Sequence, residues 1–288
     1  MTRSKFIRRA ILLLVTIAVA NGICAQRLDS LQADRLIMRC VQYGVGYTNL
    51  YDTYLSEREY RGIDFRLARE TMRLMSYGNG HISEQNYLQT NFSLTHNAAD
   101  NNNTLAALVN WNYGQHYQFR ISDNLKLLAG AVCDMNLGFV YNLRNSNNPA
   151  SLRAFINLDA SGMAIWHFKL KNHPMILRYQ LNIPFVGALF SPEMGESYYE
   201  IFSLGNGKNT IKCTTPFTQP SLRQWISLDV PIRDNELRFT YLADIEQSHV
   251  NHIKTHTYSH VFMVGFVRHF YVLGKKEKRQ LPSSLQVY

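Results

Sequence analysis

Beyond its first 25 residues, this 288-residue chain has no window approaching 18 consecutive apolar side chains. No membrane-spanning helix is expected there, because one needs roughly 20 such residues. Cysteine is scarce, with four in all. Cys40, Cys133 and Cys213 lie outside the N-terminal segment; they are far apart, odd in number and without metal-ligand spacing. They argue against a disulfide framework and against a zinc site. A Cys40–Cys213 bridge is the weaker reading, and Cys133, on an apolar face, reads as a small hydrophobe. The basic residues form no patch large enough for nucleic acid. No cofactor is expected.

The first 25 residues read as a secretory signal. Arg3, Lys5, Arg8 and Arg9 make a basic start, Ala10 to Ala20 is apolar, and small residues lead to Ala25. Two alternatives are weaker. An N-terminal anchor would be too short to span, and lipidation at Cys24 wants a small residue where Ile23 stands. The leader carries four positive charges and no negative one. Of 30 Lys and Arg, 26 then remain against 21 Asp and Glu, a net +5. Part of that excess is the run Lys275, Lys276, Lys278 and Arg279, read as a solvated tail, with anionic lipid as its alternative partner. The expected organisation is a signal over 1–25, one domain over 26–273 and a basic tail over 274–288.

What fills that domain is a rhythm. Segments of about 10 to 18 residues alternate apolar and polar side chains, the period of a strand with two different faces. In Asn157 to Phe168, one face takes Leu158, Ala160, Gly162, Ala164, Trp166 and Phe168. The other takes Asn157, Asp159, Ser161 and His167, with Met163 and Ile165 as apolar exceptions. About ten such strands are predicted, near 41–54, 62–74, 84–96, 104–121, 125–143, 152–170, 174–190, 222–230, 237–250 and 258–272. Tyr198 to Phe202 is a further strand candidate that would raise the count to twelve. Turns at Ser122-Asp123-Asn124, Lys171-Asn172-His173 and Arg233-Asp234-Asn235 are short. Those at 100–103, 144–150 and 191–220 are longer.

Alternating loop length, 17 Tyr and 15 Phe gathered near strand ends, and an export leader point one way. The expected fold is all-β, a transmembrane antiparallel up-and-down β-barrel in an outer membrane, with both termini on the periplasmic side. The polar faces are Asn, Gln, Asp, Arg and Ser with few Lys, unlike those of a β-sandwich or a lipocalin-like barrel. Expected partners are outer-membrane lipid and, during insertion, the barrel-assembly machinery. The last strand carries Phe262, Val264, Phe266 and Phe270 with Gly265, similar to an insertion signal, although Arg268 sits where an apolar residue is usual.

Several stretches resemble a family of Bacteroidetes outer-membrane barrels catalogued as domain of unknown function 3316. They include Gly44-Val45-Gly46-Tyr47, Asn110-Trp111-Asn112-Tyr113-Gly114 and Tyr141 to Ala150. Asn157-Leu158-Asp159-Ala160-Ser161-Gly162 and His256 to Val261 match as well. The resemblance spans roughly Gly44 to Val272. It implies barrel and compartment, and no catalytic residue.

With the apolar face toward lipid, a polar set turns inward: Asp64, Arg66, Asn112, His116, Arg120, Asp134 and Arg153, then Asp159, Arg178, Arg223, Asp229, Arg238 and Asp244. Acids and arginines alternate from strand to strand. In a narrow barrel they pair and fill the lumen, because about eight strands are just filled by side chains and an aqueous channel needs about sixteen. The alternative is a narrow pore for small solutes with those charges as its constriction. A hydrolase of the phospholipase or protease type is a further alternative. No His-x-Ser-Asn-Gly segment supports the first. Ser259 and His260 are adjacent and so point to opposite faces. His249, His252, His256 and His260 cluster near the last loop and could ligate a transition metal, although chance exposure is the more common reason. Asp159, Ser161 and His116 are the weakest triad candidate. A surface partner at the long loop, with Tyr198, Tyr199 and Phe202, is the remaining class.

Overall fold

The computed structural model describes residues 36–271, apart from 76, 79, 147, 172, 206 and 233–234. The expected signal and basic tail lie outside the described residues. Eleven strands follow in order: β1 Leu36–Asp52, β2 Ser56–Leu74, β3 Ile82–Asn97, β4 Asn103–Arg120, β5 Leu125–Asn142, β6 Ala150–Leu170, β7 His173–Phe190, β8 Ile211–Thr214, β9 Leu222–Ile232, β10 Asn235–Val250 and β11 Ile253–Tyr271. Among the described residues one short helix, α1, covers Tyr198–Phe202.

Ten of the strands close into an antiparallel barrel. Neighbours in sequence pair from β1 to β7, β9 pairs with both β7 and β10, and β11 returns to β1 from Leu36↔Tyr271 to Asp52↔Thr255. Closure matters physically, because a closed sheet has no edge and leaves few backbone N–H or C=O groups without a ladder partner. β8 is the extra strand, paired with the end of β7 from Gly187↔Thr214 to Phe190↔Ile211. No helix among the described residues is long and apolar enough to cross a membrane.

Strand alternation sorts the side chains as the sequence predicts. Tyr43, Val45, Ile63, Phe65, Leu137 and Phe262 stand outward and exposed, while Asp64, Asp229, Arg238 and Ser259 turn inward and are fully buried. Two inner glycines make room for the opposite strand. A Cβ on Gly46 would stand 2.1 Å from the His260 carbonyl oxygen, and one on Gly265 2.2 Å from that of Val41.

Two details differ from the sequence expectation. Tyr198–Phe202 is a helix and not a strand, so the barrel keeps ten strands. Ser197 caps it: its hydroxyl accepts from the Glu200 backbone N–H at 3.3 Å, and the Glu200 carboxylate accepts from the Ser197 N–H at 2.8 Å. That reciprocal Ser-x-x-Glu box favours a helical turn over extended chain. The loop-length alternation is also incomplete. Turns at Thr53–Leu55 and at Asn251–His252 are as tight as those on the side that holds both ends of the barrel. Asn251 and His252 both adopt left-handed φ, 52° and 62°, which suits a two-residue hairpin. The Cys40–Cys213 bridge, the weaker reading of the sequence, does not form; Cys40 is buried and Cys213 is exposed.

Candidate functional site

The lumen is layered along its axis. The end where β1 begins and β11 finishes is closed by Met38, Cys40, Met72, Leu128, Met163 and Ile165, with Ile176 and Val267. A polar layer follows, then a second apolar layer of Ala68, Tyr87, Trp225, Leu242, Val261 and Met263. A second polar layer comes next, and Leu50, Leu55, Tyr60, Ala106 and Val140 form the third apolar layer on the loop side. The order can be read along one strand: Met72, Glu70, Ala68, then Arg66 and Asp64, and last Tyr60 on β2.

The lower polar layer is charge-balanced. Arg238 makes a fork to Asp229, with Nε and Nη2 each 2.6 Å from an oxygen, and its Nη1 reaches Glu70 at 2.6 Å. Arg178 also donates to Glu70, and Gln85 joins them through Glu70 and Gln180. Two guanidiniums thus face two carboxylates, all fully buried. Bidentate, shared geometry of this kind offsets the cost of removing the charges from water.

His116 and Ser161 sit at the side of this layer. His116 Nε2 lies 2.8 Å from Ser161 Oγ, the reach of a base and nucleophile. The third member is missing. Nδ1 of His116 has no partner among the described residues, and the Ser161 hydroxyl donates to Asn182 at 2.8 Å. His116 is fully buried. Asp159 lies further along β6, not on the imidazole.

The upper polar layer is unbalanced. Arg66 holds Asp64 at 2.8 Å and Asp244 at 3.0 Å. Arg223 holds Asp244 at 2.9 Å, Glu246 at 3.1 Å and Asp134 at 3.4 Å, and donates to Asn110 and Asn112. Asp159 lies on the same layer, buried, with its Oδ1 unpartnered among the described residues. Five carboxylates therefore face two guanidiniums. On the loop side, Arg153 reaches Asp52 at 3.1 Å. There the Tyr54 phenol, pushed up to about 12 by burial and by Tyr198 and Asp52 nearby, stays protonated and donates to the Glu196 carbonyl at 2.9 Å.

Arg120 corrects the expected inward set. It is exposed at the end of β4 and pairs with Asp123 of the following turn at 2.8 Å. β4 there runs past the end of its β3 ladder at Ile82↔Tyr117 and is paired only with β5, Arg120↔Lys126, so the inward parity no longer points into the packed lumen. Glu70, which ties the two lower arginines together, was not among the expected residues. Its signal was visible: it shares the β2 face of Asp64 and Arg66. The four histidines near the last loop do not gather. His256 stacks between Tyr51 and Tyr258, at 5.2 and 4.3 Å between ring centroids, and His260 accepts or donates at 2.8 Å with Tyr241. Among the described residues no three His, Cys, Asp or Glu side chains converge as a metal site would require.

The barrel wall is interrupted at one place. On the side that faces β9, β7 is paired through Asn182↔Arg223 and again from Gly187↔Thr214, so Ile183, Pro184, Phe185 and Val186 have no ladder partner there. Pro184 has no N–H to give, and the opposite face of β7 carries a bulge at the same level, between Leu158 and Asp159 of β6. Residues 215–221 bridge the space. His249 N–H donates to the Thr218 carbonyl at 2.9 Å, and Ser221 Oγ exchanges hydrogen bonds with the Gln247 backbone. Behind the interruption is a small cleft that reaches Asp159, Asp134, Asp244 and Glu246.

No curated protein matches this chain. Among solved structures, the outer membrane protease OmpT from Escherichia coli aligns at 8% identity over 82% of this chain and 97% of its own, with a TM-score of 0.48. The transport unit of the autotransporter AIDA-I from Escherichia coli aligns at 8% identity over 90% and 97%, with a TM-score of 0.42. The COG4313 outer membrane channel from Pseudomonas putida F1 aligns at 8% identity over 82% and 95%, with a TM-score of 0.36. At 8% identity no residue here takes a role from them. Residues 10–277 match the family described as protein of unknown function (DUF3316), and the chain belongs to that family.

Proposed function

We propose that this protein is an outer-membrane barrel of the cell envelope whose lumen is sealed by its own side chains. It acts through its external face, neither as an enzyme nor as an open pore. The observation that carries this reading is the stacking of three apolar layers and two hydrogen-bonded polar layers across the lumen. A ten-stranded barrel is narrow enough for such layers to meet at its axis. An exterior of exposed Tyr, Phe, Leu, Ile and Val, and a closed sheet, suit a lipid surround. The external face offers exposed aromatic side chains around the long connection, with Phe217 95% and both Tyr199 and Phe202 66% accessible.

Single-channel conductance in a planar bilayer tests the seal. The purified protein, inserted and folded, is expected to be silent, as are Arg178→Ala and Asp159→Ala. A stable conductance whose ion selectivity shifts in either variant would replace this reading with a narrow pore.

A further inference from the structure

The cleft at the interruption of the wall combines three features. The first is geometric: β7 lacks ladder partners from Ile183 to Val186, so the cleft lies where the barrel wall is thinnest. The second is electrostatic. Of the side chains that line it, Asp134, Asp159, Asp244 and Glu246 are acidic and Arg223 alone is basic. Acids in excess at low dielectric must be balanced by protons or by a bound cation. The third is an unmet hydrogen-bonding demand. Asp159 and Asn157 are each only 3% exposed, both line the cleft, and the Oδ1 of each has no partner among the described residues. Buried acceptors of this kind are costly unless a donor reaches them.

We propose that this cleft binds a primary alkylammonium group. An ammonium carries three N–H donors and a compact positive charge, which matches the three open acceptors, Asp159 Oδ1, Asn157 Oδ1 and Gln219 Oε1, beside the other carboxylates. The free centre of the cleft is about 20 Å³, room for one group the size of a water molecule or an ammonium head. A planar guanidinium is larger. A bare metal ion is disfavoured because no three ligating side chains converge among the described residues. The alkyl stem does not fit in that centre and would leave through the open side of the cleft, past the apolar lining residues Phe155, Pro184, Leu222 and Ile245. Two more unpartnered groups line the cleft: Gln219 Oε1 is a further buried acceptor, and Asn182 Nδ2 is a donor that takes no part in holding an ammonium.

Isothermal titration of the purified protein in detergent micelles tests this with n-butylammonium, n-butanol and sodium as separate probes. Saturable binding of n-butylammonium is expected at neutral pH, with none for the neutral alcohol of the same shape and none for sodium. Asp159→Asn, nearly isosteric, is expected to weaken the amine at least tenfold while it keeps the far-ultraviolet spectrum of a folded barrel. No saturable binding to the folded parent would overturn the proposal and leave protons as the balancing charge. Equal binding of amine and alcohol, or of amine to parent and variant, would also overturn it. Should Asp159→Asn not fold, the three-probe comparison on the parent still decides. The conductance test reports on the lumen and this titration on the wall, so either reading can fail without the other.

Discussion

The two polar layers of the lumen are built from the same residue types and reach opposite electrostatic solutions. In the lower one, Arg178 and Arg238 meet Glu70 and Asp229, and every charge has a partner in good geometry. In the upper one, Arg66 and Arg223 are shared among Asp64, Asp134, Asp244 and Glu246, and Asp159 is left over. The apolar layer of Tyr87, stacked on Trp225 at 5.5 Å, and Leu242 separates them. A balanced buried network is a structural fastener. An unbalanced one, placed beside an interruption of the wall, has spare capacity for a charge from outside. The difference teaches where to look for function in a sealed barrel: at the layer whose charges do not close.

The largest effect is expected from Arg223→Ala. Its removal would leave five carboxylates facing Arg66 alone. The folded barrel should be lost at neutral pH, read as disappearance of the heat-modifiable band on a gel. A variant that folds like the parent would show that the upper layer is already neutralised by other means, and the contrast between layers would collapse. Next is Arg238→Met, which removes the guanidinium shared by Asp229 and Glu70. Breaking a buried pair from one side costs about 3–5 kcal/mol, measurable as a fall in the urea midpoint followed by tryptophan fluorescence. Adding Asp229→Asn should recover part of that loss, because Glu70 and Arg178 again balance; no recovery would mean that shape, not charge, matters there. The smallest effect is expected from Asp159→Asn. Replacing an unpaired buried carboxylate by its amide should leave stability within about 1 kcal/mol of the parent or raise it. A loss as large as that of Arg238→Met would assign Asp159 a structural partner and remove the asymmetry.

Much of the barrel was legible in the sequence, because a strand with lipid on one side and packed polar groups on the other must alternate with period two. That alternation in Ile63 to Leu67 and in Leu158 to Phe168 predicted which residues face outward. It also turned Asp64, Arg66, Arg178, Arg223, Asp229, Arg238 and Asp244 inward. It failed where a strand outruns one of its neighbours, as at Arg120, and where a local rule competed with it. Tyr198 to Phe202 has strand-forming residues, but the Ser197–Glu200 capping box, present in the sequence, made it helical.

Tertiary structure alone decided which inward charges share a layer. Glu70 and Arg238 are 168 residues apart and are brought together at 2.6 Å only by strand tilt and register in the closed barrel. The same holds for the interruption between β7 and β9. Pro184 is visible in the sequence, but the absence of a partner from Ile183 to Val186 depends on where β8 ends and β9 begins against β7. Periodicity acts between near neighbours and is written in composition. Register and charge balance arise between strands far apart in the chain, where only closure sets the distances.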